Sequence, residues 1–145
     1  MNRYLTALAV IIVIFLTSTG CQPASSISPE AEQALAEAVS PLVENSLQGL
    51  SANNYEQHIR DFDEDMRDRV DSVTFPLIYT ETIGVLGAYQ SSTFDHIDDG
   101  GTQFTAVYRA TFANDPEALV YVVFWKAGPG HQIASLWIDS RLLSQ

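Results

Sequence analysis

Apolar residues in the first half of the chain recur every three or four positions, the spacing of a helix with one buried face. Ser28, Pro29 and Glu30 form a helix start, because serine caps, proline suits the first turn and glutamate favours the positive end of the helix dipole. Ser40 and Pro41 repeat this signal, so the helix is predicted to kink or restart there. The apolar stripe that follows consists of Leu42, Val43, Ser46, Leu47 and Leu50.

Two shorter helices are predicted after this stripe. Asn53 or Asn54 caps a short helix that carries His58. Asp61 caps a third helix, with Glu64 three residues later in an arrangement close to a capping box. The N-terminal part of the domain is therefore predicted to hold three helical segments.

After Pro76 the chain becomes rich in β-branched and aromatic residues, and apolar and polar positions alternate as in strands. Glycine, proline, asparagine and aspartate clusters separate the runs and indicate turns. Helices followed by an antiparallel meander predict one α+β domain over residues 29–145, with the helices packed on a curved four-stranded sheet. The four predicted strands are 82–94, 103–112, 119–125 and 132–139.

The predicted sheet has two apolar faces. One face gathers mostly aliphatic side chains, which are Val107, Val120, Val122, Phe124, Leu136 and Ile138. The other gathers the aromatic side chains of Phe104, Tyr108, Phe112, Tyr121, Trp125 and Trp137. Three helical segments cover one face, so the aromatic face needs another cover. Self-association, a ligand pocket and an intramolecular core all remain open for this face.

The first twenty residues have the layout of a secretory signal peptide. Arg3 gives a positive start, and an apolar run follows over residues 5–16. This run of about 12 residues is shorter than the roughly 18 to 20 that span a membrane. Small uncharged residues then lead to Cys21. We therefore expect residues 1–20 to be removed on export, and they take no part in the fold.

The run Ser18, Thr19, Gly20 and Cys21 resembles the lipobox of prokaryotic lipoproteins, although that family usually has a leucine-like residue at the place of Ser18. The resemblance implies that Cys21 is lipidated and that residues 21–28 tether the domain. The protein would then be anchored at the outer side of the cytoplasmic membrane or in the cell envelope. The alternative is an ordinary secreted protein in which Cys21 is a free thiol.

Charge and cysteine count exclude several classes of function. Without Arg3 the chain carries 6 basic and 18 acidic side chains, a net charge of about −12. Such a field repels phosphate backbones, so we expect no nucleic-acid partner. The single cysteine excludes an internal disulfide and a cysteine-based zinc site.

Candidate metal and cofactor motifs are incomplete. Asp61, Asp63 and Asp65 resemble the opening of a calcium loop, but Met66 stands where the loop needs glycine. His96 is surrounded by aspartates but has no second histidine at metal-ligand spacing. We find no phosphate-binding glycine loop and no dinucleotide fingerprint, and expect neither a metal nor a cofactor.

Five residues are candidates for acid–base chemistry. His58 on its short helix could act as a base if it faces a cavity, as could His131 before the last strand. Asp139 lies near Trp137 in the predicted register, where loss of solvent would favour a role as base. Tyr89 or Tyr108 could donate a hydrogen bond to an oxyanion.

The order of elements resembles the nuclear-transport-factor-2-like family of cone-shaped α+β domains. The resemblance rests on residues 47–55 (LQGLSANNY), on residues 108–112 and on residues 137–139. It implies a curved sheet, frequent dimers and a cavity inside the cone. Some members are isomerases or dehydratases that use Asp, His and Tyr in the cone, and many others bind or assemble without catalysis.

These observations favour a non-catalytic, membrane-tethered accessory domain that acts through protein contacts, as a homodimer or with another protein. The alternative is a pocket for a small apolar or aromatic molecule, with or without isomerase-like or dehydratase-like chemistry. The fold alone does not decide between the two.

Overall fold

The computed structural model describes residues 27–128 and 130–144. They form an α+β domain in which helices pack on a four-stranded antiparallel sheet, which confirms the predicted fold class. The elements are α1 (Pro29–Ser51), α2 (Tyr55–Ile59), α3 (Glu64–Arg69), α4 (Phe75–Leu86), β1 (Tyr89–Asp99), β2 (Gln103–Phe112), β3 (Ala118–Trp125) and β4 (Ile133–Asp139). The predicted signal peptide, Cys21 and the tether up to residue 26 lie outside the described residues. No helix within the described ranges is both long enough and apolar enough to cross a membrane.

Helix α1 begins where the sequence predicts, with the Ser28 side chain accepting a hydrogen bond from the Ala31 amide. Of the two predicted outcomes at Pro41, a restart is wrong, because α1 is a single helix that includes this proline, and a kink stays a prediction. Val39 and Val43 are fully buried on either side of it, so core packing holds both halves in one helix.

Asn54 caps α2 and Asp63 caps α3. Only the cap of α2 is a predicted residue. Asn54 caps α2 by accepting from the Gln57 amide, at 3.1 Å. Asp63, and not the predicted Asp61, caps α3 by accepting from the Met66 amide, at 2.8 Å. Asp61 has another role, since its carbonyl accepts a hydrogen bond from the Ile133 amide at the start of β4.

The predicted strand over residues 82–94 is wrong in its first half, where the chain continues α4 to Leu86. Proline in the first turn favours a helix start, and Phe75, Ile83 and Leu86 are buried on the core side. Burial therefore outweighs the strand propensity of the threonines and isoleucines in this segment. Gly87, with a φ of 76°, ends the helix in a conformation that favours glycine.

The strand register corrects the predicted division of the two faces. Phe104 lies opposite Phe124, and Tyr108 lies opposite Val120. Even-numbered residues of β2 therefore share a face with even-numbered residues of β3, because Ala110 pairs with Ala118 at the connecting turn. The large side chains of this inner face are Phe104, Tyr108, Phe112, Val120, Val122 and Phe124, and all are buried in the core.

The two edge strands of the open sheet are covered in part by helix side chains and by the α2–α3 connection. Glu32 and Ser51 of α1 accept hydrogen bonds from backbone amides of β1. At the other edge, Phe62 forms a parallel bridge with Ile133. Helix α1 thus lies along β1, whereas the segment that leads into α3 lies along β4.

Helices α1 and α2 approach each other most closely at Gly49. A Cβ atom at this position would lie 2.5 Å from the backbone nitrogen of His58 and 2.8 Å from its Cα. Both are backbone atoms, so a side chain at position 49 has no room unless α2 moves away from α1.

We expect Gly49→Ala to lower the free energy of unfolding by about 2 kcal/mol or more, because it forces the two backbones apart. The matched control is Gly84→Ala in α4, where a Cβ meets only a Thr80 methyl at 3.9 Å. That change replaces glycine inside a helix without a clash, and we expect it to stabilise the fold by about 0.5–1 kcal/mol. Urea denaturation measures both, and equal effects of the two substitutions would contradict the close approach.

Candidate binding site

The His58 side chain lies at the centre of the helical layer. It is only 3% exposed, and its ring lies between the core and α1. Its Nδ1 atom is 2.9 Å from the backbone carbonyl oxygen of Ser46 and 3.0 Å from the Ser46 hydroxyl oxygen. The close approach at Gly49 is what brings the ring of His58 within reach of Ser46.

These contacts define the tautomer of His58. A carbonyl oxygen only accepts hydrogen bonds, so Nδ1 carries the hydrogen and donates it to Ser46. In the neutral ring, Nε2 then has a free lone pair and acts as an acceptor. Within the part of the chain that the structure describes, Nε2 has no hydrogen-bond partner. Nε2 of His58 is also accessible to solvent. Among the described residues, the one buried side-chain nitrogen or oxygen without a hydrogen-bond partner is Nδ1 of His131.

Next to His58 is a cavity of about 240 Å³. Met66 comes from α3 and Val70 is the C-cap residue of that helix, while Leu136 and Ile138 come from the inner face of β4. The remaining apolar walls are Leu50, Ile78, Trp137 and Leu143. His58 and Thr82 are the polar residues of this lining, and no charged side chain belongs to it.

The surroundings of His58 favour its neutral form. Burial lowers the pKa of the imidazole below its ordinary value, and the hydrogen bond to the Ser46 carbonyl offsets this only in part. The rings of Phe62 and Phe75 lie with centroids 4.9 and 5.4 Å from the imidazole. At neutral pH the cavity therefore presents a hydrogen-bond acceptor and no charge.

The acid–base candidates Tyr89 and Asp139 lie elsewhere. The Tyr89 hydroxyl on β1 donates to a Glu44 carboxylate oxygen and lies 2.9 Å from the Ser92 hydroxyl. Burial, together with the carboxylate of Glu44, raises its pKa above the usual range for tyrosine. Asp139 lies opposite Leu119 at the end of β4 and is exposed. The structure therefore does not bring His58, Tyr89 and Asp139 into one site.

The five aromatic candidates for a binding or dimer face fall on opposite sides of the sheet. Phe104 and Tyr108 are 0% and 2% exposed in the core. Tyr121, Trp125 and Trp137 lie on the outer face, and we call these three residues the outer strip.

The outer strip is ordered by contacts of its own. Tyr121 and Trp137 stack with ring centroids 5.0 Å apart and an angle of 4° between the rings. The indole nitrogen of Trp125 donates to the Asp63 carboxylate at 3.0 Å. Trp125 and Trp137 nevertheless stay 42% and 47% exposed. The strip is a fixed apolar surface that remains open to solvent.

The candidate metal positions have other partners. The two ring nitrogens of His96 face Asp95 at 2.7 Å and Asp98 at 3.4 Å. Asp63 caps α3 and accepts from Trp125, and Asp61 pairs with Arg60. Over residues 27–128 and 130–144, no three histidine, aspartate or glutamate side chains are grouped to hold a metal ion.

Sequence reasoning named His58 but missed Ser46 and Thr82. Ser46 stood in the apolar stripe of α1, and a polar residue in such a stripe signals a buried hydrogen-bond partner. Thr82 could not be identified from the sequence, because the pattern of its segment predicts a strand.

Comparisons with protein-family models, with curated proteins and with solved structures found no match to this chain. Any function must therefore follow from the residues and their geometry.

We expect the stability of the fold to depend on the protonation of His58. Its pKa in the fold lies below the ordinary 6.5, so the unfolded chain takes up the proton more readily. The free energy of unfolding is then highest above about pH 6.5 and falls as the pH drops from there towards the lowered pKa. Urea denaturation between about pH 5 and pH 8 measures this slope, and His58→Phe should remove it.

The matched control for this experiment is His96→Asn. The carboxylate of Asp95 raises the pKa of His96, so its contribution is present below about pH 6.5 and is lost as the pH rises through the raised pKa. The control should change only the upper part of the profile. An unchanged slope below pH 6.5 in His58→Phe would refute the assignment.

Proposed function

We propose that this chain is an exported, membrane-tethered accessory domain that binds a small, largely apolar molecule in the cavity beside His58. One observation carries the proposal, namely the unpartnered Nε2 of a nearly fully buried histidine in a cavity with apolar walls. Nε2 is open to solvent in the empty cavity, so a bound molecule that displaces this solvent leaves the acceptor unpaired unless it donates to it. A few convergent polar groups in an apolar concavity are the usual features of a ligand site.

The size of the cavity limits the ligand to a small molecule. An apolar protein cavity of about 150 Å³ is large enough to bind benzene. The cavity beside His58 has about 240 Å³, which suits a single ring with a short substituent. Drug-sized ligands occupy larger pockets, of about 300 Å³ and more.

Binding without catalysis fits the lining better than acid–base chemistry. Catalysis of isomerisation or dehydration needs a base together with a group that stabilises developing charge. His58 is the only titratable residue of the lining, and Tyr89 and Asp139 lie outside it. We therefore infer a role as receptor or carrier, which is the ligand-pocket alternative from the sequence, without chemistry.

The membrane anchor is proposed from the lipobox resemblance at Cys21. Each buried methylene contributes about 0.8 kcal/mol, so two or more acyl chains hold a domain firmly. Residues 22–27 span at most about 20 Å, so the cavity would stay close to the membrane surface. Small apolar molecules accumulate in membranes, and a tethered receptor beside one samples that pool.

We expect Cys21→Ser to abolish incorporation of an alkyne-labelled fatty acid in a bacterial host and to move the chain out of the membrane fraction, because the thiol is the acylation site. The control is Ser25→Ala, which leaves the thiol in place and should keep both the label and the membrane association. Label retained by Cys21→Ser would exclude this anchor.

We expect toluene and indole to raise the melting temperature of the chain from residue 22 onwards in a concentration-dependent way, because a ligand that binds only the folded state stabilises it. Every described core residue lies after Ile27, so this chain keeps the whole fold. Val70→Phe fills the cavity from α3 and should remove the shift. Val73→Phe adds the same bulk three residues further on, where the side chain is 81% exposed. This control should keep the ligand-induced shift in melting temperature.

A second function is favoured by the outer strip, whose two tryptophans are fixed and yet exposed. Such an apolar surface suits homodimerisation, against which the net charge of about −12 on each chain would act. Native mass spectrometry of the same samples gives the oligomeric state. A dimer that Trp137→Ala dissociates, combined with no shift by toluene or indole, would replace ligand binding by self-association as the function.

A further inference from the structure

The cavity beside His58 contains two polar groups of different hydrogen-bonding character. Nε2 of His58 can only accept while Nδ1 donates to Ser46. The Thr82 hydroxyl can both donate and accept, and no partner for it occurs among the residues described. The rest of the lining is apolar, so these two groups decide which polar group of a ligand is accepted.

We propose that the cavity selects neutral molecules that carry a hydroxyl group, and that this hydroxyl donates its hydrogen to Nε2 of His58. The inference rests on the proposed function, because it names the chemical class of the ligand in the same cavity. A hydroxyl group has one donor and two acceptor sites, so it can also accept from Thr82. Small phenols and alcohols with an apolar body belong to this class.

The lining disfavours the other common polar groups. A carboxylate or an ammonium group would be buried without an opposite charge, because no charged side chain lines the cavity. A ketone or an ether has no hydrogen to donate, so it leaves Nε2 unpaired. A hydrocarbon of the same shape leaves Nε2 unpaired as well, and an unpaired buried acceptor lowers affinity.

The packing around His58 makes this preference a fixed property. Ser46 holds the ring from one side, and the rings of Phe62 and Phe75 lie against it. The ring cannot turn to offer Nδ1–H to a ligand without giving up the bond to the Ser46 carbonyl. The cavity therefore presents an acceptor, and a ligand gains only by donating to it.

Phenol and toluene test the inference, because they differ only by a hydroxyl in place of a methyl group. We expect phenol to bind the chain from residue 22 onwards with a lower Kd than toluene in an NMR titration. His58→Phe should raise the Kd of phenol by roughly tenfold and leave that of toluene within a factor of about three. Thr82→Val should weaken phenol by a smaller factor.

A measurement on the unsubstituted chain covers the case in which His58→Phe fails to fold. With ¹⁵N-labelled histidine, phenol should shift the Nε2 resonance of His58 as the lone pair accepts a hydrogen bond, and toluene should not. His96 and His131 serve as internal controls, since both lie outside the cavity lining.

The possible results separate the two proposals. Toluene bound at least as tightly as phenol, with the Nε2 resonance unchanged by phenol, would overturn the hydroxyl preference and leave ligand binding intact. The absence of binding by either compound, with no cavity resonance shifted at saturating concentration, would overturn the proposed function together with the inference. Phenol bound more tightly than toluene with a shifted Nε2 resonance would support both.

Discussion

The close approach of α1 and α2 at Gly49 is the constraint on which the site depends. Because this position has no side chain, the backbone of His58 can lie against α1. The imidazole then reaches Ser46, a polar residue in the buried face of an otherwise apolar helix stripe. The missing methyl group at Gly49 thus determines where the short helix docks, which tautomer its histidine adopts and which ring nitrogen stays unbonded.

Burial of a histidine in this way has a thermodynamic consequence for the empty site. The fold loses most of the solvation of the ring and recovers the bond at Nδ1, while Nε2 has no hydrogen-bond partner among the described residues. A core built only for stability would have an apolar residue here, because Phe62 and Phe75 already supply an aromatic environment. If the cavity binds a ligand as proposed, the imidazole serves that ligand as a hydrogen-bond acceptor.

The sequence was most informative where local pattern and tertiary packing agree. The start of α1, the cap of α2 and the last three strands were predicted to within one residue, because caps and alternation are local signals. Helix α4 was missed because its threonines and isoleucines read as a strand, and only burial against the core makes it helical. His58 was a candidate from the sequence, but its partner Ser46 lies twelve residues away and becomes a partner only through the docking of α2 on α1. No periodicity within either helix encodes that distance.

The strand register explains why the cavity lies under β4 and why the aromatic residues are divided between the two faces of the sheet. Pairing of Ala110 with Ala118 turns Phe104 and Tyr108 inward, where they fill the space under α1 with large side chains. Under β4 the inner face offers only Leu136 and Ile138, and α3 and α4 cover them with Val70 and Ile78. Smaller side chains on both layers leave space at this end. The same register turns Tyr121 and Trp137 outward, so the pairing that opens a cavity inside also creates the apolar strip outside. Ligand binding and self-association would both involve β4, since Trp137 belongs to the cavity lining and to the outer strip, and a ligand that shifts this strand would act on both.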